Sequence, residues 1–421
     1  VDTIFALSSG APPAAIAIVR ISGPRAGEAL EVLAGRRPEP RMATVASLRD
    51  RAGLSLDRAL VLWMPGPRTA TGEDLAELHL HGGRAVVAAV EMALAALPGL
   101  RPAEAGEFTR RAFTNGRIDL AEAEGLADLL TAETESQRRA ALAMAGGALS
   151  RDVERWREQV LMLSAELEGE LDFGDEDDVG ALPDDFVARV ERIAADLGQR
   201  LSAPLATVLK DGFRVVLSGP PNAGKSSLFN ALVDAEAAMI AASPGTTRDV
   251  LERSVAIGGV AFTFVDTAGL RDLTDDAIEA EGIERAKAAL AWADLVLWLG
   301  PEVDRPHGAW DIVAKSDLGG GKANPVAIVS ARTGQGIDEL KGRLVSHARA
   351  ALPLPGEAAL NARQHRLLAD AWTALTLDGI TDPLLVAEHL RLARVAFEAL
   401  TGRSSTEDML DTLFGRFCIG K

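Results

Sequence analysis

The residues best placed to do chemistry sit in one short run, Gly219-Pro220-Pro221-Asn222-Ala223-Gly224-Lys225-Ser226. A glycine-bounded loop that closes on Lys-Ser lets backbone N–H groups wrap a chain of phosphates. It brings Lys225 to the β- and γ-phosphates and offers the Ser226 hydroxyl to magnesium. Such a loop works only between a strand and a helix. The apolar run Phe213-Arg214-Val215-Val216-Leu217-Ser218 predicts a buried strand before it, and Ser227-Leu228-Phe229-Asn230-Ala231-Leu232 predicts the first turns of a helix after it. These observations imply a nucleoside triphosphate site contacted by Asn222, Ala223, Gly224, Lys225, Ser226 and Ser227.

Which nucleotide follows from what comes downstream. Val260-Ala261-Phe262-Thr263-Phe264-Val265 predicts a second apolar strand, which delivers Asp266-Thr267-Ala268-Gly269. An Asp at a strand end can hold magnesium through water, and the Gly N–H can meet the γ-phosphate. Between the two motifs lies Gly245-Thr246-Thr247-Arg248-Asp249, whose Thr247 hydroxyl suits closure over magnesium. Ala314-Lys315-Ser316-Asp317 then resembles the Asn/Thr-Lys-x-Asp element of GTPases, and Ser330-Ala331 the last guanine element. The Asp317 carboxylate accepts both N–H groups of guanine, which adenine cannot offer, and the Lys315 stem covers the base. GTP is therefore the expected nucleotide. Ala314 stands where the pattern wants Asn or Thr, which removes one hydrogen bond worth about 1 kcal/mol. The stretch 299–325, with Gly319-Gly320-Gly321, looks trimmed.

The elements that must position these residues fall into blocks. At 421 residues the chain is long enough for about three domains. To about residue 116, short apolar strands alternate with turns, as in Ala15–Gly23, Ala59–Trp63 and Leu75–His79, and a helix is predicted around Val86 to Leu97. From Asp119 the pattern is helical for about eighty residues, with Trp156, Val160, Leu163, Leu167 and Leu171 on one face. The α/β nucleotide domain ends in a helix from Ile337 to about Ala351, Pro353 and Pro355 mark a linker, and 361–413 is helical again. The arrangement predicted is an N-terminal α+β domain (1–117), a discontinuous helical domain (118–208 and 353–421) and an inserted Ras-like α/β GTPase domain (209–352).

Net charge is −17, so the surface as a whole repels nucleic acid and anionic membranes, and RNA contact needs a local basic patch or a partner. A single cysteine excludes a disulfide framework and fits a reducing cytosol, so a cytoplasmic protein is expected. No apolar run reaches the roughly 18–20 residues of a spanning helix.

End to end, the chain resembles the MnmE (TrmE) family of tRNA-modification GTPases. The resemblance rests on Asp2-Thr3-Ile4, Arg20-Ile21-Ser22-Gly23, Thr71-Gly72-Glu73-Asp74, His81-Gly82-Gly83, and Gly106-Glu107-Phe108-Thr109-Arg110-Arg111 leading into Asn115-Gly116-Arg117. It rests also on the phosphate loop, Gly245–Asp249 and the terminus Phe417-Cys418-Ile419-Gly420-Lys421. The chain departs from the family at Pro12-Pro13-Ala14, where a Gly-Arg-Gly run is usual, and at Ala70, where an aromatic is usual. What the resemblance implies is a homodimer that works with an MnmG-type, FAD-dependent partner in a heterotetramer. That assembly would install an aminomethyl-type group at C5 of a tRNA wobble uridine. The one-carbon unit would come from a tetrahydrofolate derivative, 5-formyl or 5,10-methylene.

The resemblance also implies residue roles. Asn222 and Thr246, with the carbonyls of Ala241 and Ser243, would hold a potassium ion that neutralises charge between the β- and γ-phosphates. Leu270 follows Gly269 where other GTPases place a glutamine, and Glu279 would orient the attacking water instead. The folate would meet Arg20, Glu77, Arg117 and Lys421. Cys418 is open to two readings, a nucleophile or a small thiol that packs the tail. His79-x-His81 lacks a third metal ligand and reads as structural or pocket-lining, and the acidic run 172–178 as a solvated helix end. Two rival functions share parts of the pattern: a ribosome-assembly GTPase of the Era/Der type, and a GTP-switched scaffold without folate chemistry.

Overall fold

The computed structural model describes residues 2–173, 182–206, 209, 212–233, 252–266, 290, 292–318, 322–352, 358–404, 407–415 and 417–420. The chain divides into two compact units, Val1–Ala127 with Glu398–Lys421, and Asp128–Phe397.

The first unit is built on a six-stranded sheet. Its strands are β1 (Thr3–Leu7), β2 (Ile16–Ser22), β3 (Thr44–Arg49), β4 (Ser55–Met64), β5 (Leu75–His81) and β6 (Leu100–Pro102), in the order β3-β4-β5-β2-β1-β6. Only β6 runs parallel to its neighbour, β1. The two-residue alternation of side chains dictates which face is dry. Phe5, Val19, Ile21, Val61, Leu78 and Leu80 turn to one face, where helices α1 (Ala26–Ala34) and α2 (Arg84–Ala95) cover them with Leu30, Leu33, Val87, Val90 and Leu94. Their neighbours in sequence turn the other way, so Ala6, Arg20 and Glu77, which stand opposite one another in register, share the second face.

Helices α3 (Glu107–Thr114) and α4 (Leu120–Thr131) follow the sheet. Three of the segments that carried the resemblance meet on α3. Arg111 binds Asp2 at 2.7 Å, Glu107 at 3.0 Å and Glu73 at 3.2 Å, while Arg101 binds Glu107 and Asp2. The far C-terminal segment belongs to this unit as well. Phe414, from the helix Glu407–Phe414, and Phe417 bury against Ala123 beside Phe113. Beyond them the tail lies on the end of β1. Ser8 Oγ donates to the Gly420 carbonyl at 2.8 Å, and Ile419 bridges Ala105. Gly420 has φ +95°, and a Cβ there would stand 2.1 Å from the Leu7 carbonyl oxygen, so only glycine fits.

The second unit holds the nucleotide domain and the larger part of the helical segment on either side of it, while residues 118–127 and 398–421 of the expected helical domain fall in the first unit. Helices α5 (Glu135–Ala145), α6 (Ala148–Phe173) and α7 (Phe186–Leu201) precede the nucleotide domain. Trp156, Val160, Leu163 and Leu167 of α6 are buried as their spacing predicts, but Leu171, near the end of the helix, is 39% exposed. In the nucleotide domain α8 (Lys225–Val233) and α9 (Ile337–Ala350) pack on a sheet of order β12-β11-β10-β7-β9-β8. Its strands are β7 (Phe213–Ser218), β8 (Glu252–Ile257), β9 (Val260–Asp266), β10 (Leu295–Trp298), β11 (Trp310–Val313) and β12 (Ala327–Ile328), all parallel except β8. The connection after β11 is tied down by an ion pair from Lys322 to the fully buried Asp311.

Helices α10 (Ala362–Leu375) and α11 (Pro383–Thr401) close the unit. They return to the helices before the nucleotide domain: Trp156 stacks on Phe397 at 6.2 Å, and Gln364 of α10 reaches Met144 of α5. Thr134 and Asn361 begin α5 and α10 with capping boxes, which satisfy the first helical N–H groups on each side of the insertion. Among the described residues no helix is long and apolar enough to cross a membrane.

Candidate functional site

The nucleotide site grows out of β7. Parallel strands must cross over to pair, and their C-terminal ends gather the connecting loops at one edge, where ligands of open α/β sheets bind. Leu217 of β7 stands in register with Asp266 of β9, so the mouth of the phosphate loop and the Asp266 carboxylate at the next strand's end are neighbours. The loop turns through Gly219, Asn222 and Gly224 at φ +150°, +61° and +98°, then enters α8 at Lys225. Lys225 is buried, and its Nζ donates to the carbonyls of Gly219 and Pro220, both at 2.9 Å. It is thus held inside the loop by the loop's own carbonyls. Ser226 is exposed on the first turn of α8, while Asp266 is buried at the strand end. A hydroxyl and a carboxylate are hard oxygen donors, a set that suits magnesium.

The base pocket lies across the loop. A 380 Å³ cavity is lined by Gly224, Ser227, Lys315, Asp317, Ala331 and Arg332, among others. Lys315, at φ +60°, sends its Nζ to the carbonyl of Asn222 at 2.7 Å, which fixes its stem along the cavity. Asp317 Oδ1 accepts from Ser330 Oγ at 2.7 Å, and Oδ2 pairs with Arg332 Nε at 2.9 Å. The Ser330 hydrogen bond, assisted by Arg332, holds the Asp317 carboxyl below its ordinary range. The sequence motifs therefore come together as expected at Asn222, Lys225, Asp266, Lys315, Asp317 and Ser330. Arg332 was not among them. Its only sequence signal is its place one residue after Ser330-Ala331.

Several expected residues lie outside the described ones: Ala241, Ser243, Thr246, Thr247, Thr267, Ala268, Gly269, Glu279 and Lys421.

In the first unit the face of the sheet opposite α1 and α2 carries the other expected group, partly shielded from water. Arg20 binds Glu77 through Nη2 at 2.9 Å and Nε at 3.1 Å, and the Arg20 guanidinium lies 5.9 Å from the centre of the Phe108 ring. The other Glu77 oxygen faces His79 Nε2 at 3.2 Å. Arg117 is exposed and sits beside Gly72, where a Cβ would stand 3.2 Å from its Cγ. Arg20 and Glu77 are thus brought together, whereas no contact joins Arg117 to them. Cys418 is exposed, so its thiol does not pack the tail, a task left to Phe417 and Gly420. It borders an 860 Å³ groove between the end of β1 and Glu91 and Met92 of α2, which neither Arg20 nor Glu77 lines. His79 and His81 form no metal cluster, and no group of three His, Cys, Asp or Glu side chains does so among the described residues.

A phosphate loop on the first parallel strand, a carboxylate at the end of its neighbour and an Asp-based base pocket together define a P-loop GTPase. Two family profiles match the chain, the GTP-binding protein TrmE N-terminus over residues 3–117 and the MnmE helical domain over residues 120–418. The chain is 62% identical to the tRNA modification GTPase MnmE of Novosphingobium aromaticivorans, with all of both chains covered. It is 60% identical to that of Erythrobacter litoralis and 49% identical to that of Zymomonas mobilis, again over the whole of each chain. It belongs to the MnmE/TrmE family.

Proposed function

We propose that this GTPase spends its hydrolysis cycle on tRNA modification, as the names of its relatives state for them, and that the modified position is C5 of a wobble uridine. One observation carries the reading: the matched family segments and the relatives span the whole chain, so the nucleotide domain is not an isolated borrowed module.

In this reading Lys225 exchanges the Gly219 and Pro220 carbonyls for β- and γ-phosphate oxygens, and Ser226 and Thr247 hold magnesium. Asn222 and Thr246, with the carbonyls of Ala241 and Ser243, hold potassium beside the phosphates, and Glu279 orients the attacking water. The positive φ of Asn222 supports its part, because it turns that residue out of the loop's regular course. In the first unit Arg20, Glu77, Arg117 and Lys421 hold a tetrahydrofolate derivative. The Arg20–Glu77 pair, partly exposed on its sheet face, supports this, since it offers a cation and an acceptor side by side. The chain works in the cytoplasm as a homodimer with an MnmG-type FAD-dependent partner.

The test is nucleoside mass spectrometry of bulk tRNA from cells lacking the gene, then carrying it intact, as Lys225→Ala, or as Arg20→Ala/Glu77→Ala. An aminomethyl-type wobble uridine should vanish, return with the intact gene, and stay absent with either variant. Unchanged tRNA in the deletion strain would remove the modification reading. Recovery with Arg20→Ala/Glu77→Ala would remove the folate assignment alone.

A further inference from the structure

We propose that Arg332 is a specificity-determining residue of the guanine pocket. It holds Asp317 in the orientation that reads both guanine N–H groups, and it stands in for the side chain missing at position 314.

Ala314 presents only a methyl to the cavity, and a Cβ placed on Gly224 would lie 3.4 Å from it, so that wall of the pocket is apolar. Recognition of the base edge then falls on Asp317, the one carboxylate among the residues lining the cavity. A carboxylate can satisfy two N–H groups side by side only if its plane is fixed, and one hydrogen bond leaves it free to rotate about the Cβ–Cγ bond. Here each oxygen has a partner of its own, a hydrogen bond from Ser330 Oγ on Oδ1 and the positive charge of Arg332 on Oδ2, an ion pair at 2.9 Å. An ionised carboxylate offers about four lone-pair sites, so each oxygen keeps an acceptor direction for one guanine N–H. The two anchors differ in kind. Ser330 is fully buried and belongs to the fold, whereas the Arg332 side chain is 76% exposed and no hydrogen bond ties it to any other described residue. An ion pair whose cation is held in water contributes little to folding, so its contact with the largely shielded Asp317 is available for ligand recognition. Arg332 also lines the cavity, where its flat guanidinium can lie along the base.

The test is calorimetric titration of the full chain with GDP and with IDP, whose hypoxanthine base lacks the 2-amino group. Arg332→Ala is expected to weaken GDP about tenfold and IDP less than about threefold, the worth of one charge-assisted hydrogen bond lost selectively from guanine. Arg332→Lys keeps the charge but not the fork, and should recover only part of the GDP/IDP preference. In an Ala314→Asn background the cost of Arg332→Ala should shrink to about threefold or less, because a second polar group then reads the base. Equal weakening of GDP and IDP would show a bulk charge effect and overturn the proposal, as would no change in either. An undiminished tenfold cost in the Ala314→Asn background would overturn the link to position 314. Because Arg332 is exposed, the variants should keep the parent's thermal unfolding.

Discussion

The nucleotide domain and the N-terminal unit solve the same problem, placing charged groups beside one another, by opposite means. In the nucleotide domain each functional side chain sits on a contiguous motif at the end of a parallel strand, and the backbone does most of the positioning. Lys225 and Lys315 are both tied to carbonyls of the loop itself, Lys225 to those of Gly219 and Pro220 and Lys315 to that of Asn222. In the N-terminal unit the groups come from segments about a hundred residues apart, and the positioning is done by ion pairs. Asp2, Glu73, Arg101, Glu107 and Arg111 form one network, and the C-terminal tail is bound in by Gly420. A loop that positions its own residues should lose function before fold. A network that joins distant segments should lose fold first.

The largest effect expected is in the nucleotide domain. Lys225→Ala should lower GTP hydrolysis by on the order of 10²–10³-fold, the usual cost of a preorganised charge-stabilising group, and leave thermal unfolding within about 2 °C of the parent. Phosphate release in single-turnover assays and a melting scan measure the two sides. Unfolding at ordinary temperatures would break the contrast, because it would make Lys225 a structural residue.

The counterpart is Arg111→Ala, which strips partners from Glu73 and Glu107, both largely shielded from water. Breaking such a pair on one side should cost about 3 kcal/mol, and on the order of 10 °C in the melting of the N-terminal unit. Burial pushes the Glu107 carboxyl up, but its bonds to Arg101, the Glu104 N–H and Arg111 more than offset this, so its pKa is lowered overall. A lowered carboxylate stabilises the fold above its unfolded pKa, and that stability drains away as pH falls through the folded pKa. The gap between parent and variant should therefore be full at neutral pH and close in acid. A gap that stayed constant from pH 7 into acid would show that Arg111 acts through packing instead.

A smaller effect is expected at the tail. Gly420→Ala places a Cβ on the Leu7 carbonyl, and a backbone atom cannot swing aside. About 2 kcal/mol of strain should loosen the terminus, which proteolysis from the C-terminal end would detect. GDP affinity should not change. If it fell with the tail, the two regions would not be independent in the way the contrast requires.

How far each region was legible in the sequence follows the same division. The strand, loop and helix around Lys225 were legible because a contiguous motif carries its own geometry, whereas the bond between Asp317 and Ser330, thirteen residues apart, came only from the fold. The strands and helix of the N-terminal unit were also legible, since alternation and helical periodicity are local: β2, β4, β5 and α2 fall where predicted to within a few residues. The Arg111 network was not, because nothing local says that Asp2 and Glu107 meet. The resemblance picked out both segments without the reason. Arg332 escaped for another cause. An exposed Arg after Ser330-Ala331 is ordinary in composition, and only its contact with Asp317 in the fold gives it a role. The exposed state of Cys418 likewise depends on the tail's path, which Gly420 sets from two residues away.

The smallest effect tests the contrast at one carboxylate. Asp317 reads guanine only when ionised, since a protonated oxygen would face guanine's N–H groups with a donor of its own. Its pKa is lowered first by the Ser330 hydrogen bond, against an opposing push from burial, with its own backbone N–H and Arg332 adding to the lowering. The preference for GDP over IDP should therefore hold steady from pH 7 down to about pH 4, where an ordinary Asp carboxylate would already be losing its charge. Ser330→Ala removes the leading cause, and the carboxyl should rise toward its ordinary range, so the preference should begin to fall at a higher pH than in the parent. Titrations of both proteins with GDP and IDP at stepped pH, with circular dichroism confirming the fold at each step, measure this directly. A parent preference that declines across the ordinary carboxylate range would mean that the loop leaves Asp317 unprotected. The nucleotide pocket would then depend on its ligand for the order that its own hydrogen bonds are argued to supply.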